Sequence, residues 1–157
     1  MLKFAETAVT FSEIPDEITL VINITQCPNK CKGCHSPHLQ KDIGELLTAD
    51  TLKSLIRKNV GISCVCLMGG DSEPNEISRL FEIVKENFPN LKTAWYSGRE
   101  SIEDIDLSQF DFIKLGPYVE EFGPLNSKTT NQKLFEVSCN NSTPFLKDIT
   151  YKFWRND

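Results

Sequence analysis

Four short apolar runs constrain this chain most, because helical or turn-rich stretches separate them and each stops at a glycine or a polar pair. The first, over residues 18–24, is almost continuously β-branched or apolar, as a strand covered on both faces should be. The others span 62–68, 91–96 and 112–115, and end at Gly69-Gly70-Asp71, Ser97-Gly98 and Gly116-Pro117. Between the first two runs, a helix is expected over 48–59. Thr48 is placed to cap it, Asp50 and Arg57-Lys58 suit its two ends, and Leu52, Leu55 and Ile56 form its apolar stripe. A second helix begins near Pro74, carries Ile77, Leu80, Phe81, Val84 and Phe88 at helical spacing, and stops at Pro89. A short helical piece over 101–105 precedes the fourth run. This β-α-β-α-β-α-β order, with right-handed crossovers, predicts an α/β fold with a parallel sheet flanked by helices.

The chain has 157 residues. That suits a single domain over 1–157 and is too short for a closed eight-fold barrel of about 250 residues, so an open sheet or partial (β/α) barrel is expected. Residues 140–157 read as a C-terminal tail, with an edge strand over 148–157. In such sheets ligands bind beyond the C-terminal strand ends, so the four post-strand turns should converge there.

Seventeen Lys and Arg against twenty-two Asp and Glu give a net charge of −5, a poor footing for nucleic-acid binding. No stretch approaches the roughly 20 apolar residues of a membrane span, and Met1-Leu2-Lys3-Phe4-Ala5-Glu6 begins no apolar signal region. A cytoplasmic protein is expected, contacting neither nucleic acid nor membrane.

Three of the six cysteines fall within eight residues, Cys27-x3-Cys31-x2-Cys34, in the loop at 25–38. The size, the spacing and the missing signal oppose a disulfide framework. Clustered thiolates select zinc, copper(I) or iron–sulfur clusters. His35 or His38 could complete a zinc site. Three thiolates on a cubane cluster would instead leave one iron open to a chelating ligand, a spacing distinct from bacterial ferredoxins. Cys64 and Cys66 share one strand face and read as packing. Cys139 receives no role.

A C-x3-C-x2-C loop after the first strand and a Gly-Gly-acidic turn after the second resemble the radical S-adenosylmethionine (SAM) superfamily. Gly33, the Cys34-His35-Ser36-Pro37 continuation and Ser-Lys-Thr-Thr-Asn-Gln-Lys-Leu at 127–134 are similar to the activating proteins of anaerobic (class III) ribonucleotide reductase, over about 13–137. The resemblance implies a radical SAM-type open partial barrel in which Cys27, Cys31 and Cys34 ligate a [4Fe-4S] cluster. SAM would chelate the open iron. Gly69, Gly70 and Asp71 would line its methionine end, the ammonium facing Asp71 or Glu73. Ser97 would meet its carboxylate or ribose, Gly33 and His35 the adenine, and Lys114 and Gly116 the ribose and adenine edge.

The implied reaction is one-electron reductive cleavage of SAM, followed by hydrogen removal from a glycine of the reductase's glycyl-radical subunit. A low-potential donor such as flavodoxin supplies the electron. No catalytic side chain is implied beyond the cluster and SAM, since the cofactor carries the chemistry. Activation of another glycyl-radical enzyme, or another radical SAM reaction, is the alternative; a zinc-stabilised binding module or a simple electron carrier is a third reading.

Overall fold

The computed structural model describes residues 1–29, 37–102 and 105–154. One eight-stranded mixed sheet organises them, in the order β3-β1-β2-β4-β5-β6-β7-β8. At its centre β2 (Thr19–Ile24), β4 (Cys64–Met68), β5 (Lys92–Tyr96) and β6 (Phe112–Leu115) pair in parallel. These are the four apolar runs of the sequence. Antiparallel strands extend the sheet both ways: β1 (Lys3–Thr10) and β3 (Glu45–Leu46) beside β2, and the hairpin β7 (Lys133–Asn140) and β8 (Thr143–Asp148) beside β6.

Helix α1 (Ala49–Lys58) starts where Thr48 Oγ1 accepts from Thr51 N at 3.1 Å, a cap worth about 1 kcal/mol. Helix α2 (Pro74–Asn87) has Pro74 in its first turn, where a missing N–H costs nothing. Successive parallel strands added in one direction through right-handed crossovers place their helices on the same side. Leu52 and Ile56 of α1 and Ile77, Leu80, Phe81 and Val84 of α2 accordingly share one core with Leu20, Ile22, Val65, Leu67, Trp95 and Ile113. Each such buried side chain contributes about 1.5–3 kcal/mol relative to its exposed state.

Among the described residues, no α-helix covers the opposite face. Ile14, from the connection between β1 and β2, and Ile149 pack on Val21, Cys64, Cys66, Ala94, Phe112 and Leu134. Both Cys64 and Cys66 are fully buried here. Tyr96 Oη donates to the Glu13 carbonyl, and Glu17 pairs with Lys92 at 2.9 Å, so the 11–18 segment is tied down as a strap.

Two expectations are corrected. Ser101 and Ile102 lie outside any helix, while 103–104 lie outside the described residues. A 3-10 turn at Leu107–Gln109 follows instead, capped where Asp106 accepts from Ser108 N. Ile102, Ile105 and Leu107 still reach the helix-side core, so apolar spacing there is met by irregular chain. The edge strand lies at 143–148 rather than 148–157. Asp148 Oδ1 then accepts from Thr150 N at 2.9 Å and turns the chain into a 3-10 segment, Thr150–Trp154. Among the described residues, no helix is long and apolar enough to cross a membrane.

Candidate iron–sulfur and ligand site

Parallel register sets four side chains in a row at the C-terminal ends of the central strands. Asn23 faces Met68, Met68 faces Tyr96, and Tyr96 faces Lys114. This row lines a cavity of about 220 Å3. The turn after each parallel strand supplies a wall: Cys27 and Asn29, Gly69 and Asp71, Ser97 and Gly98, then Pro117 and Tyr118. The post-strand turns expected to converge do so.

Asp71 joins three of those walls. Its Oδ1 accepts from Ser97 Oγ at 2.6 Å, while Oδ2 accepts from Gly98 N at 2.9 Å and from Asn29 Nδ2. Ser97, fully buried, also accepts at Oγ from Arg99 N at 3.0 Å. Three acceptor positions of a carboxylate that offers about four are therefore filled. Glu73 instead binds the N-terminal ammonium of Met1 at 2.9 Å and is not among the cavity-lining residues.

Lys114 brings a cation into the same cavity at only 8% exposure. Its Nζ donates to the Ser97 and Gly116 carbonyls, each at 3.0 Å, and stands 5.7 Å from the Tyr96 ring centroid. Burial pushes the Tyr96 phenol well above its ordinary pKa, so the ring stays neutral. A half-buried carboxylate and a buried ammonium thus line one small volume.

The two glycines after β4 play different parts. Gly69 lines the cavity with φ +102°, and its carbonyl accepts from Trp95 Nε1 at 2.7 Å. A Cβ there would lie 3.2 Å from the Ile24 carbonyl oxygen, so the turn needs glycine. Gly70 faces the helix-side core instead. A Cβ on it would meet Ile77 Cδ1 at 2.7 Å.

Cys27 follows β2 half-exposed at the cavity wall. Its N–H donates to the Leu39 carbonyl at 3.0 Å, and Gln26 N–H donates to the Lys41 carbonyl at 3.1 Å. Two rungs therefore hold the entrance of the loop against its exit. Cys27 Sγ donates to the Asn29 carbonyl at 3.6 Å. A soft, accessible sulfur at this position suits a thiolate-bound metal centre. Cys31, Cys34, Gly33 and His35 lie outside the described residues. His38 is not among the cavity-lining residues, and its Nε2 lies 2.7 Å from Glu6 Oε1.

Sequence reasoning missed Asn29, Tyr118, Gln132 and the Asn23–Met68–Tyr96–Lys114 row as a unit, although it singled out Lys114. Strand register, which no local motif encodes, assembles that row.

The profile of a family described as a 4Fe-4S single cluster domain matches residues 18–143. No curated protein and no solved structure gives a significant match.

Proposed function

We propose, from the premise that this chain belongs to the 4Fe-4S single cluster domain family, that it is a radical SAM activase. Its partner would be the glycyl-radical subunit of anaerobic ribonucleotide reductase, and its electron donor a low-potential protein such as flavodoxin. In this reading the sheet is an open partial (β/α) barrel with the helix-covered face outward. Cys27, Cys31 and Cys34 would hold the cluster. Bound by three protein thiolates, a [4Fe-4S] cluster supplies one-electron reduction and an iron open to an amino acid's amino and carboxylate groups.

One observation carries the reading: Asp71 and Lys114 line the same cavity as Cys27. The methionine end of SAM has a cationic amino group and an anionic carboxylate, and this pair matches both signs. Asp71 is held rigid by Ser97 and Gly98, so its remaining acceptor position is preorganised for an ammonium. Lys114 brings positive charge without a mobile side chain, because two carbonyls fix its Nζ. Gly69 lets the backbone approach a ligand closely. The strap carrying Glu13 and Ile14 packs the sheet face beneath the cavity row. Water is thus kept from that side, and a partner's glycine loop would enter from the strand-end side.

The test is incubation without oxygen of the reconstituted protein, SAM, a reductant and a candidate reductase. A carbon-centred doublet in electron paramagnetic resonance supports the activase reading. SAM cleavage without that doublet redirects it to another glycyl-radical enzyme or another radical SAM substrate. No cleavage by the cluster-loaded protein removes it.

A further inference from the structure

We propose that Asn29 is a positioning residue whose side-chain amide clamps the segment from Cys27 to Asn29 onto the Asp71 carboxylate, in a slot that Gly98 leaves open. The inference rests on reading 25–38 as the cluster loop. Asn29 Nδ2 donates to Asp71 Oδ2, and that carboxylate is already fixed by Ser97 Oγ and the Gly98 N–H. The amide therefore binds a stationary acceptor. A Cβ on Gly98 would lie 2.5 Å from Asn29 Nδ2 and 2.9 Å from its side-chain carbonyl carbon. The Asn29 side chain occupies the room that a side chain at 98 would take.

The Asn29 backbone is held as well. Its carbonyl accepts from Cys27 Sγ, and Cys27 N–H is bound to the Leu39 carbonyl. Cys27 and Asn29 thus share one frame, and the clamp ties that frame to the turns after β4 and β5. An amide suits the task electrically. It donates to the carboxylate without cancelling its charge, whereas a lysine would neutralise Asp71 and an aspartate would repel it.

The experiment measures iodoacetamide modification of each cysteine by peptide mass spectrometry in the metal-free full-length chain. Asn29→Ala and Gly98→Ala attack the clamp from opposite sides. Each should speed Cys27 modification about tenfold, the factor corresponding to about 1.4 kcal/mol. Exposed Cys139 is the internal reference and keeps its rate. Cys64 and Cys66, both fully buried, stay unmodified while the fold stands.

Non-additivity separates a specific clamp from general loosening. Asp71→Ala removes the acceptor and speeds Cys27 modification, and adding Asn29→Ala to it raises the rate by no more than about twofold further. Wild-type Cys27 rates in both alanine variants of the clamp would overturn the proposal, as would Asn29→Ala and Asp71→Ala effects that multiply fully in the double variant. Iron uptake is measured on the same preparations. A wild-type chain that takes up no iron would contradict the cluster reading and leave the modification comparison standing.

Discussion

Trp95→Phe tests whether the core supports the site from behind. Trp95 is fully buried on β5, its ring centroid 5.9 Å from Phe110, and its Nε1–H donates to the Gly69 carbonyl at 2.7 Å. Phenylalanine keeps an aromatic ring but orphans that carbonyl, at a cost of about 1–3 kcal/mol. The smaller ring adds about 1 kcal/mol of lost packing. A total near 2–4 kcal/mol is a large share of the roughly 5–15 kcal/mol that holds a domain folded. At about 2–4 °C per kcal/mol, Tm should fall by about 4–16 °C. Phe110→Leu is the control: Phe110 contacts both Phe81 and Trp95, so it loses core packing but no bond to the turn. Equilibrium dialysis with SAM should show about tenfold weaker binding for Trp95→Phe and near wild-type affinity for Phe110→Leu. Equal affinities in the two variants would refute the claim that Trp95 supports Gly69.

Further outcomes follow from single residues. Gly69→Ala should cost about 1–3 kcal/mol by denaturant titration, because its φ is +102° and Ile24 crowds the new Cβ; a neutral result would contradict the strained turn. Burial raises the Glu13 carboxyl above its ordinary 4.5, so the folded state keeps a proton that the unfolded state has released. Its contribution is intact below about pH 4.5 and is lost as pH rises through the folded pKa. Glu13→Gln should therefore gain stability relative to wild type as pH rises above about 4.5, and a difference that stays constant from well below that pH to neutrality would count against the burial argument.

Much of the site was legible because its parts follow strands whose apolar runs are unmistakable. Thr48 and Pro74 mark helix starts by side-chain and ring chemistry that acts locally, and both helices begin there. The outer strands gave weaker signals. β1 leaves most of its side chains partly or fully exposed, so its Lys-Phe-Ala-Glu-Thr-Ala-Val-Thr run lacks the apolar density of the central strands. The β7–β8 turn uses Asn141 and Ser142, both at positive φ, and only Asn is a familiar marker of that conformation. Ile14 hides in a turn-rich segment, yet it is fully buried under the sheet. Asn29 carried no periodic or motif signal; its role depends on Asp71 and Gly98, 42 and 69 residues further along the chain.

Reductive SAM cleavage by the anaerobically reconstituted protein, with dithionite as reductant, is the reaction on which the cluster and SAM assignments turn. Wild type should release methionine and 5′-deoxyadenosine together. Cys27→Ala should release neither while keeping the wild-type far-ultraviolet circular dichroism spectrum, because Cys27 belongs to neither buried core cluster. A fully iron-loaded wild type that leaves SAM intact, or a Cys27→Ala variant that cleaves it as fast, would contradict the account.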